Sequence, residues 1–187
     1  MQKKIGIFGG SFDPIHTGHL IICNIIKEEL DLDTIIFVPA YKSPHKDISR
    51  FTSPQIRYKM VELAIEDNKG FEISDFEISQ SRSVYSIETI DYMKKKYSES
   101  ELFFIIGADS YKNILTWKEP EMIKNKVKLV IASRNDIKVD KEDYLAKTPN
   151  IEISSSMIRD RIGEKLSIKY LVNSKVEHYI YEKSLYK

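Results

Sequence analysis

One cysteine in 187 residues, Cys23, excludes an internal disulfide framework. Within Leu20-Ile21-Ile22-Cys23-Asn24-Ile25-Ile26 that thiol reads as a small buried hydrophobe. An excess of charge of either sign is also missing. With 29 basic and 28 acidic side chains interspersed, the net charge is +1, which argues against a polyanion-binding surface and against nucleic acid as a partner. No apolar run reaches the length of a membrane span, which argues against a membrane association. Two lysines and then Ile-Gly-Ile-Phe-Gly-Gly stand where a leader would need a long apolar core, so a cytoplasmic location is expected. Repeats and low-complexity linkers are absent, and the length suits one domain over residues 1–187 with a substantial core. Monomer and homo-oligomer are equally open. Neither G-x-G-x-x-G nor G-x-x-x-x-G-K-[ST] occurs, and the second apolar segment ends in Val38-Pro39-Ala40 with no acid to hold a ribose. A redox dinucleotide and a P-loop ATPase are both disfavoured.

What is present alternates between strand-like and helix-like segments. Residues 3–8 read as an opening strand, 18–30 as a helix, and 34–38 as a short apolar strand stopped by Pro39. Thr52 or Ser53 caps a helix to about Asp67, with Pro54 in its first turn, where a missing N–H is harmless. Residues 71–78 alternate as a half-exposed strand. A helix over 86–97 and strands over 101–106 and 126–132 follow, the last two joined by a connection containing Trp117. A short strand over 150–153, a helix starting near Ser155 and helical turns over 169–183 complete the chain. The pattern predicts an α/β fold: a Rossmann-like, doubly wound parallel sheet with helices on both faces and a small helical C-terminal part.

Ligands in such folds bind beyond the carboxyl ends of the strands. The first strand runs into Gly9-Gly10-Ser11-Phe12-Asp13-Pro14-Ile15-His16-Thr17-Gly18-His19. A strand, a glycine turn and a helix N-terminus make an anion site, because unpaired N–H groups and the positive end of the helix dipole face one point. His16 and His19 add side-chain donors there, although a capping and an exposed histidine would give the same pattern. A metal site from Asp13, His16 and His19 ranks last, because no further ligand pair completes it. In Ile153-Ser154-Ser155-Ser156-Met157-Ile158-Arg159 the serines read as helix caps, and Arg159 lies one turn in, within reach of a second phosphate. Two such helix starts suit a polyphosphate. Lys42, His45 and Lys46 around Pro44 add positive charge at a strand end, or form a merely solvated loop. Asp109 after Gly107 is placed for ribose hydroxyls or Mg²⁺, or caps the next helix, and Trp117 either packs in the core or stacks on a ring.

These segments resemble the paired motifs of the HxGH nucleotidyltransferase superfamily. Val38-Pro39-Ala40-Tyr41-Lys42-Ser43-Pro44-His45-Lys46, Val84-Tyr85-Ser86-Ile87-Glu88-Thr89 and Ile106-Gly107-Ala108-Asp109-Ser110 followed by Trp117 look like the bacterial nicotinate-nucleotide adenylyltransferases. That family usually has Thr where Ser86 and Ser156 stand, and a second Pro at Ser43. The resemblance implies adenylyl transfer from ATP to nicotinate mononucleotide, with Mg²⁺ as cofactor, giving deamido-NAD and pyrophosphate. It implies catalytic roles for His16, His19 and Arg159. ATP contacts are implied for Gly9, Gly10, Ser11, Phe12, Gly107, Asp109, Arg134, Ser155 and Ser156, and mononucleotide contacts for Lys42, His45, Lys46, Tyr85, Ser86 and Trp117. The rival readings are another adenylyltransferase of the superfamily, such as the phosphopantetheine enzyme, and a nucleotide-binding module without catalysis.

Overall fold

The structure is a computed structural model and describes residues 2–42, 52–133 and 138–187. Six strands, β1 (Lys4–Gly10), β2 (Thr34–Pro39), β3 (Phe71–Ile73), β4 (Glu101–Gly107), β5 (Lys128–Ser133) and β6 (Tyr144–Lys147), form one sheet in the order β3-β2-β1-β4-β5-β6. All five neighbouring pairs are parallel; Ile7 of β1, for example, lies beside Ile36 of β2 and Phe104 of β4. Strands buried on both faces need unbroken apolar runs, and Ile35-Ile36-Phe37-Val38 and Leu102-Phe103-Phe104-Ile105-Ile106 supply them. The pleat sends successive side chains to opposite faces. Phe103 and Ile105 therefore join one core cluster with Cys23, Ile26, Met60, Ile158 and Val176. Leu102, Phe104 and Ile106 join the other, with Ile87, Ile90, Met93 and Ile123.

The first cluster takes helices α1 (Thr17–Glu29), α2 (Pro54–Ile65), α7 (Ser155–Gly163) and α8 (Ser174–Glu182). The second takes α4 (Ser86–Lys96) and α6 (Pro120–Lys126), and the short α3 (Phe76–Ser79) and α5 (Ala108–Lys112) lie at strand ends. The sequence of strands reverses direction between β1 and β4, and the crevice beyond their carboxyl ends is the switch point where such sheets bind ligands. Among the described residues no helix is long and apolar enough to cross a membrane.

Three segments differ from the expectation. The run 71–78 is a strand only to Ile73. Ser74 then donates its N–H to the Phe37 carbonyl at 2.9 Å and accepts that of Phe76 at 3.3 Å, which starts α3. The sixth strand is Tyr144–Lys147 rather than 150–153. It is an edge strand, held by Glu29 of α1, which accepts from the Tyr144 hydroxyl and the Lys147 N–H. The connection carrying Trp117 contains α5, a 3₁₀ turn (Ile114–Thr116) and α6, so β5 begins at Lys128.

Candidate active site

His16 is the N-cap of α1, in extended conformation at φ −140° and ψ 166°. Its N–H donates to Nδ1 of His19 at 3.3 Å, and the two imidazoles stack at 3.6 Å with their planes 21° apart. Because Nδ1 of His19 accepts, the hydrogen bond assigns the proton of the neutral ring to Nε2, which makes that atom a donor. His19 is supported from below by Phe12 (5.3 Å, edge-on) and Phe8 (5.9 Å). Gly18 packs closely against the His16 ring: a Cβ there would come 3.1 Å from His16 Nδ1 and 3.2 Å from Ile151 Cγ2, so these side chains would shift by a few tenths of an ångström. Gly18→Ala is expected to change stability in chemical unfolding by no more than about 1 kcal/mol, the helix propensity of alanine offsetting the crowding, and to lower turnover several-fold by tilting His16.

The second helix start is docked onto the first. Ser154 caps α7 by accepting the Met157 N–H at 3.2 Å. Ser155 Oγ donates to the Pro14 carbonyl at 2.9 Å, and Arg159 Nη1 donates to the Asp13 carbonyl at 2.7 Å. The result is a cavity of about 310 Å³ lined by His16, Gly18 and His19 on one side and Ser154, Ser155, Ser156 and Arg159 on the other. Two helix N-termini, two imidazoles and a guanidinium converge there, a donor set that matches successive phosphates.

Several of the residues that hold this loop are not legible as functional in the sequence. Arg57, 3 % exposed, donates from Nη1 to the Ser11 carbonyl (2.6 Å), from Nη2 to that of Tyr41 (2.8 Å) and from Nε to that of Thr52 (3.2 Å). It thereby ties the turn after β1, the chain after β2 and the start of α2 together. Burial lowers its pKa, and the nearby Asp13 carboxylate opposes that. Asp13, 1 % exposed, accepts from the Thr52 hydroxyl and, at 2.7 Å, from the Tyr186 hydroxyl, so its carboxylate serves the scaffold. Burial, followed by Asp13, pushes the Tyr186 phenol far above its ordinary value, which keeps it a donor. One signal was available. Arg57 occupies the buried stripe of α2 with Met60, Val61, Ala64 and Ile65, and a charge on such a stripe needs partners.

A second cavity, of about 290 Å³, opens at the switch point. Gly9, Gly10 and Ser11 of the turn, Gly107 after β4, Lys42, Tyr85, Ser86 and Trp117 all line it. Phe8 joins the two cavities, because it lines this one while its ring contacts that of His19. Trp117 is half-buried edge-on against Phe104 and follows the 3₁₀ turn. Tyr85 is the N-cap of α4, its N–H donating to Glu88 at 3.0 Å, and Lys118 lies 4.7 Å above its exposed ring. The Arg82 guanidinium, then the Tyr85 N–H, hold the Glu88 carboxyl down to about 2, so it stays an acceptor through the neutral range. Glu77 of α3 also lines the cavity, 9 % exposed, and accepts from the Thr89 hydroxyl at 2.7 Å.

Of the other candidates, Phe12 is 2 % exposed and packs under the turn, where it supports His19 rather than lining either cavity. Asp109 points to solvent beside Lys112 and lines neither of these cavities. His45, Lys46 and Arg134 lie outside the described residues.

Residues 7–161 match the cytidylyltransferase-like family profile. A probable nicotinate-nucleotide adenylyltransferase of Clostridium botulinum is 41% identical over 200 aligned positions, covering 100% of this chain and 99% of the relative. The chain belongs to the nicotinate-nucleotide adenylyltransferase family. A second member of that family, from Desulfitobacterium hafniense, is 38% identical over 99% of this chain and 96% of its own length. The fold is also that of the nicotinic acid mononucleotide adenylyltransferase of Plasmodium falciparum complexed with NaAD, with a TM-score of 0.83 at 24% identity over 99% of this chain and 98% of that one. As a nicotinate-nucleotide adenylyltransferase family member, the chain has its paired histidines and its Arg159 at the starts of two helices that meet across one cavity.

Proposed function

We propose that this chain transfers the adenylyl group of ATP to nicotinate mononucleotide, releasing deamido-NAD and pyrophosphate. The observation that carries this reading is the pairing of a donor-lined cavity with an aromatic one through Phe8 at the switch point. The first suits the triphosphate and the second suits a flat pyridine ring above Trp117. The nucleophile is a phosphate whose second pKa near 6 leaves it mostly dianionic at neutral pH, so the reaction needs no general base. One of its oxygens attacks the α-phosphorus, and the bond to the bridging oxygen of the leaving pyrophosphate breaks.

Catalysis is then positioning plus stabilisation of charge on the transferring phosphoryl group. His19 donates from Nε2 to the α-phosphate as charge builds. His16 and the Ser155 and Ser156 N–H groups at the start of α7 hold the rest of the triphosphate, with Arg159 at its β- and γ-phosphates. Gly9, Gly10 and Ser11 give a backbone surface that both substrates approach closely, and Gly107 borders the ribose. Lys42 attracts the acceptor's phosphate, and the same role extends to His45 and Lys46, as adenosine binding does to Asp109 and Arg134. Tyr85 and Ser86 at the start of α4 face the pyridine carboxylate.

Among the described residues no three His, Cys, Asp or Glu side chains converge as a metal cage would require. The cavity's hydroxyl, imidazole and guanidinium donors fit phosphate oxygens, so a magnesium ion would be held by the ATP phosphates and its own waters rather than by these side chains. It would supply neutralisation of charge on the pyrophosphate.

Pyrophosphate release measured with nicotinate mononucleotide, nicotinamide mononucleotide and 4′-phosphopantetheine tests the reading. Turnover is expected with the first, weaker turnover with the second, and none with the third. Preference for phosphopantetheine, or ATP binding without turnover on any of them, contradicts it. Trp117→Ala is expected to raise KM for the mononucleotide by about tenfold, the worth of one lost stacking contact, and to leave KM for ATP near its wild-type value. An unchanged mononucleotide KM would place the pyridine elsewhere.

A further inference from the structure

Among the described residues Glu77 is the one carboxylate lining the acceptor cavity, and the reaction as derived gives it no task. An acid is a surprising neighbour for an acceptor that carries a phosphate and a pyridine carboxylate. It is not a solvated surface acid, because it is 9 % exposed and held by Thr89. Thr89 sits one turn into α4, which begins at Ser86 after its N-cap Tyr85, so the hydrogen bond ties Glu77 to the helix start that also lines the cavity. Among the described residues the charged groups facing it from the elements packed around α3 are Arg57 of α2 and Glu88 of α4. Glu88 is itself engaged by Arg82, and Lys42 and Lys118 line the same cavity.

We propose that Glu77 sets which charge the acceptor cavity tolerates on the pyridine ring: as the neutral acid it accommodates a carboxylate, and as the anion it repels one while leaving an amide unaffected. The inference rests on the mononucleotide reading of the cavity. Burial pushes the Glu77 carboxyl up to about 7, and the Thr89 hydroxyl opposes that by stabilising the anion. Both charge states are therefore populated around neutral pH.

The test is the ratio of kcat/KM for nicotinate over nicotinamide mononucleotide across the neutral range. Both substrates carry the same titrating phosphate and meet the same histidines, so those contributions cancel in the ratio and Glu77 remains. From about pH 6 to about pH 8.5 the wild-type ratio is expected to fall by about tenfold, the order expected for a like charge a few ångströms away in a partly buried site. The change should lie in KM for the nicotinate substrate. Glu77→Gln keeps the shape and an acceptor for Thr89, and should hold the acid-side ratio at every pH. Thr89→Val removes the group that favours the anion, and should move the midpoint up by about one pH unit. A role confined to packing would alter melting temperature in these variants without changing the pH dependence of the ratio. A pH-invariant wild-type ratio, or the same pH dependence in Glu77→Gln as in wild type, overturns the proposal while leaving the adenylyl transfer intact. Absence of turnover with both mononucleotides would overturn the activity, and this inference with it.

Discussion

Replacing His19 with alanine is expected to lower kcat for adenylyl transfer by about 10²–10³, the range found when one preorganised donor to a developing charge is removed. The reason is local. His19 is fixed by its contacts with Phe8, Phe12 and His16, and its Nδ1 accepts the His16 N–H, which leaves Nε2 as the donor. No base is lost, so the pH dependence of the residual rate should keep the shape set by the phosphate nucleophile. Alanine also removes the acceptor at the start of α1, and His19→Asn separates the two losses. Its side-chain oxygen restores an acceptor for the His16 N–H but not a donor at the distance of Nε2, so stability should recover and kcat should not. Steady-state kinetics beside thermal melts distinguish these results. Near-wild-type kcat in either variant would remove His19 from the transition state.

The second large effect is on stability. Arg57→Ala should destabilise the protein by about 3–5 kcal/mol, because a buried cation that binds three backbone carbonyls disappears and the Asp13 carboxylate loses its neighbouring positive charge. For a chain of this size that corresponds to a fall in melting temperature of roughly 10 °C or more. Arg57→Lys should recover little of it, since one ammonium on a flexible stem cannot reproduce a planar fork aimed at Ser11, Tyr41 and Thr52. Turnover should fall in both variants even below their melting temperatures, because the turn after β1 and the chain after β2 lose their common anchor. A melting temperature within about 2 °C of wild type for Arg57→Ala would mean that the clamp contributes little.

These residues also mark where sequence reasoning succeeds and where it stops. β1, β2, β4 and β5 were legible because strands buried on both faces carry unbroken apolar runs bounded by Gly, Pro or polar residues. β6 is a short edge strand whose pairing depends on Glu29, distant in sequence, and no local pattern announces that. The run at 71–78 alternates like a strand, yet Ser74 bonds to Phe37 and turns the chain into α3, which sends Glu77 inward to Thr89. The site divides the same way. That His16, His19, Ser155 and Arg159 stand near two helix starts was legible from spacing, whereas the roles expected of them came from the family resemblance. Asp13 and Tyr186 are 173 residues apart and meet only through the packing of α2, α7 and α8, so their bond could not be read in advance. Trp117 and Tyr85 were legible only through a family resemblance, and the shared cavity gives them a common physical setting.

Adenylyl transfer here is a single in-line displacement, in which the mononucleotide phosphate in one cavity attacks the α-phosphorus of ATP held in the other. The stereochemical course at that phosphorus decides between one displacement and two. With ATP carrying a chiral phosphorothioate at the α-position and nicotinate mononucleotide as acceptor, inversion of configuration is expected in the dinucleotide product. Retention would require two displacements through an adenylylated side chain and would rule out direct attack.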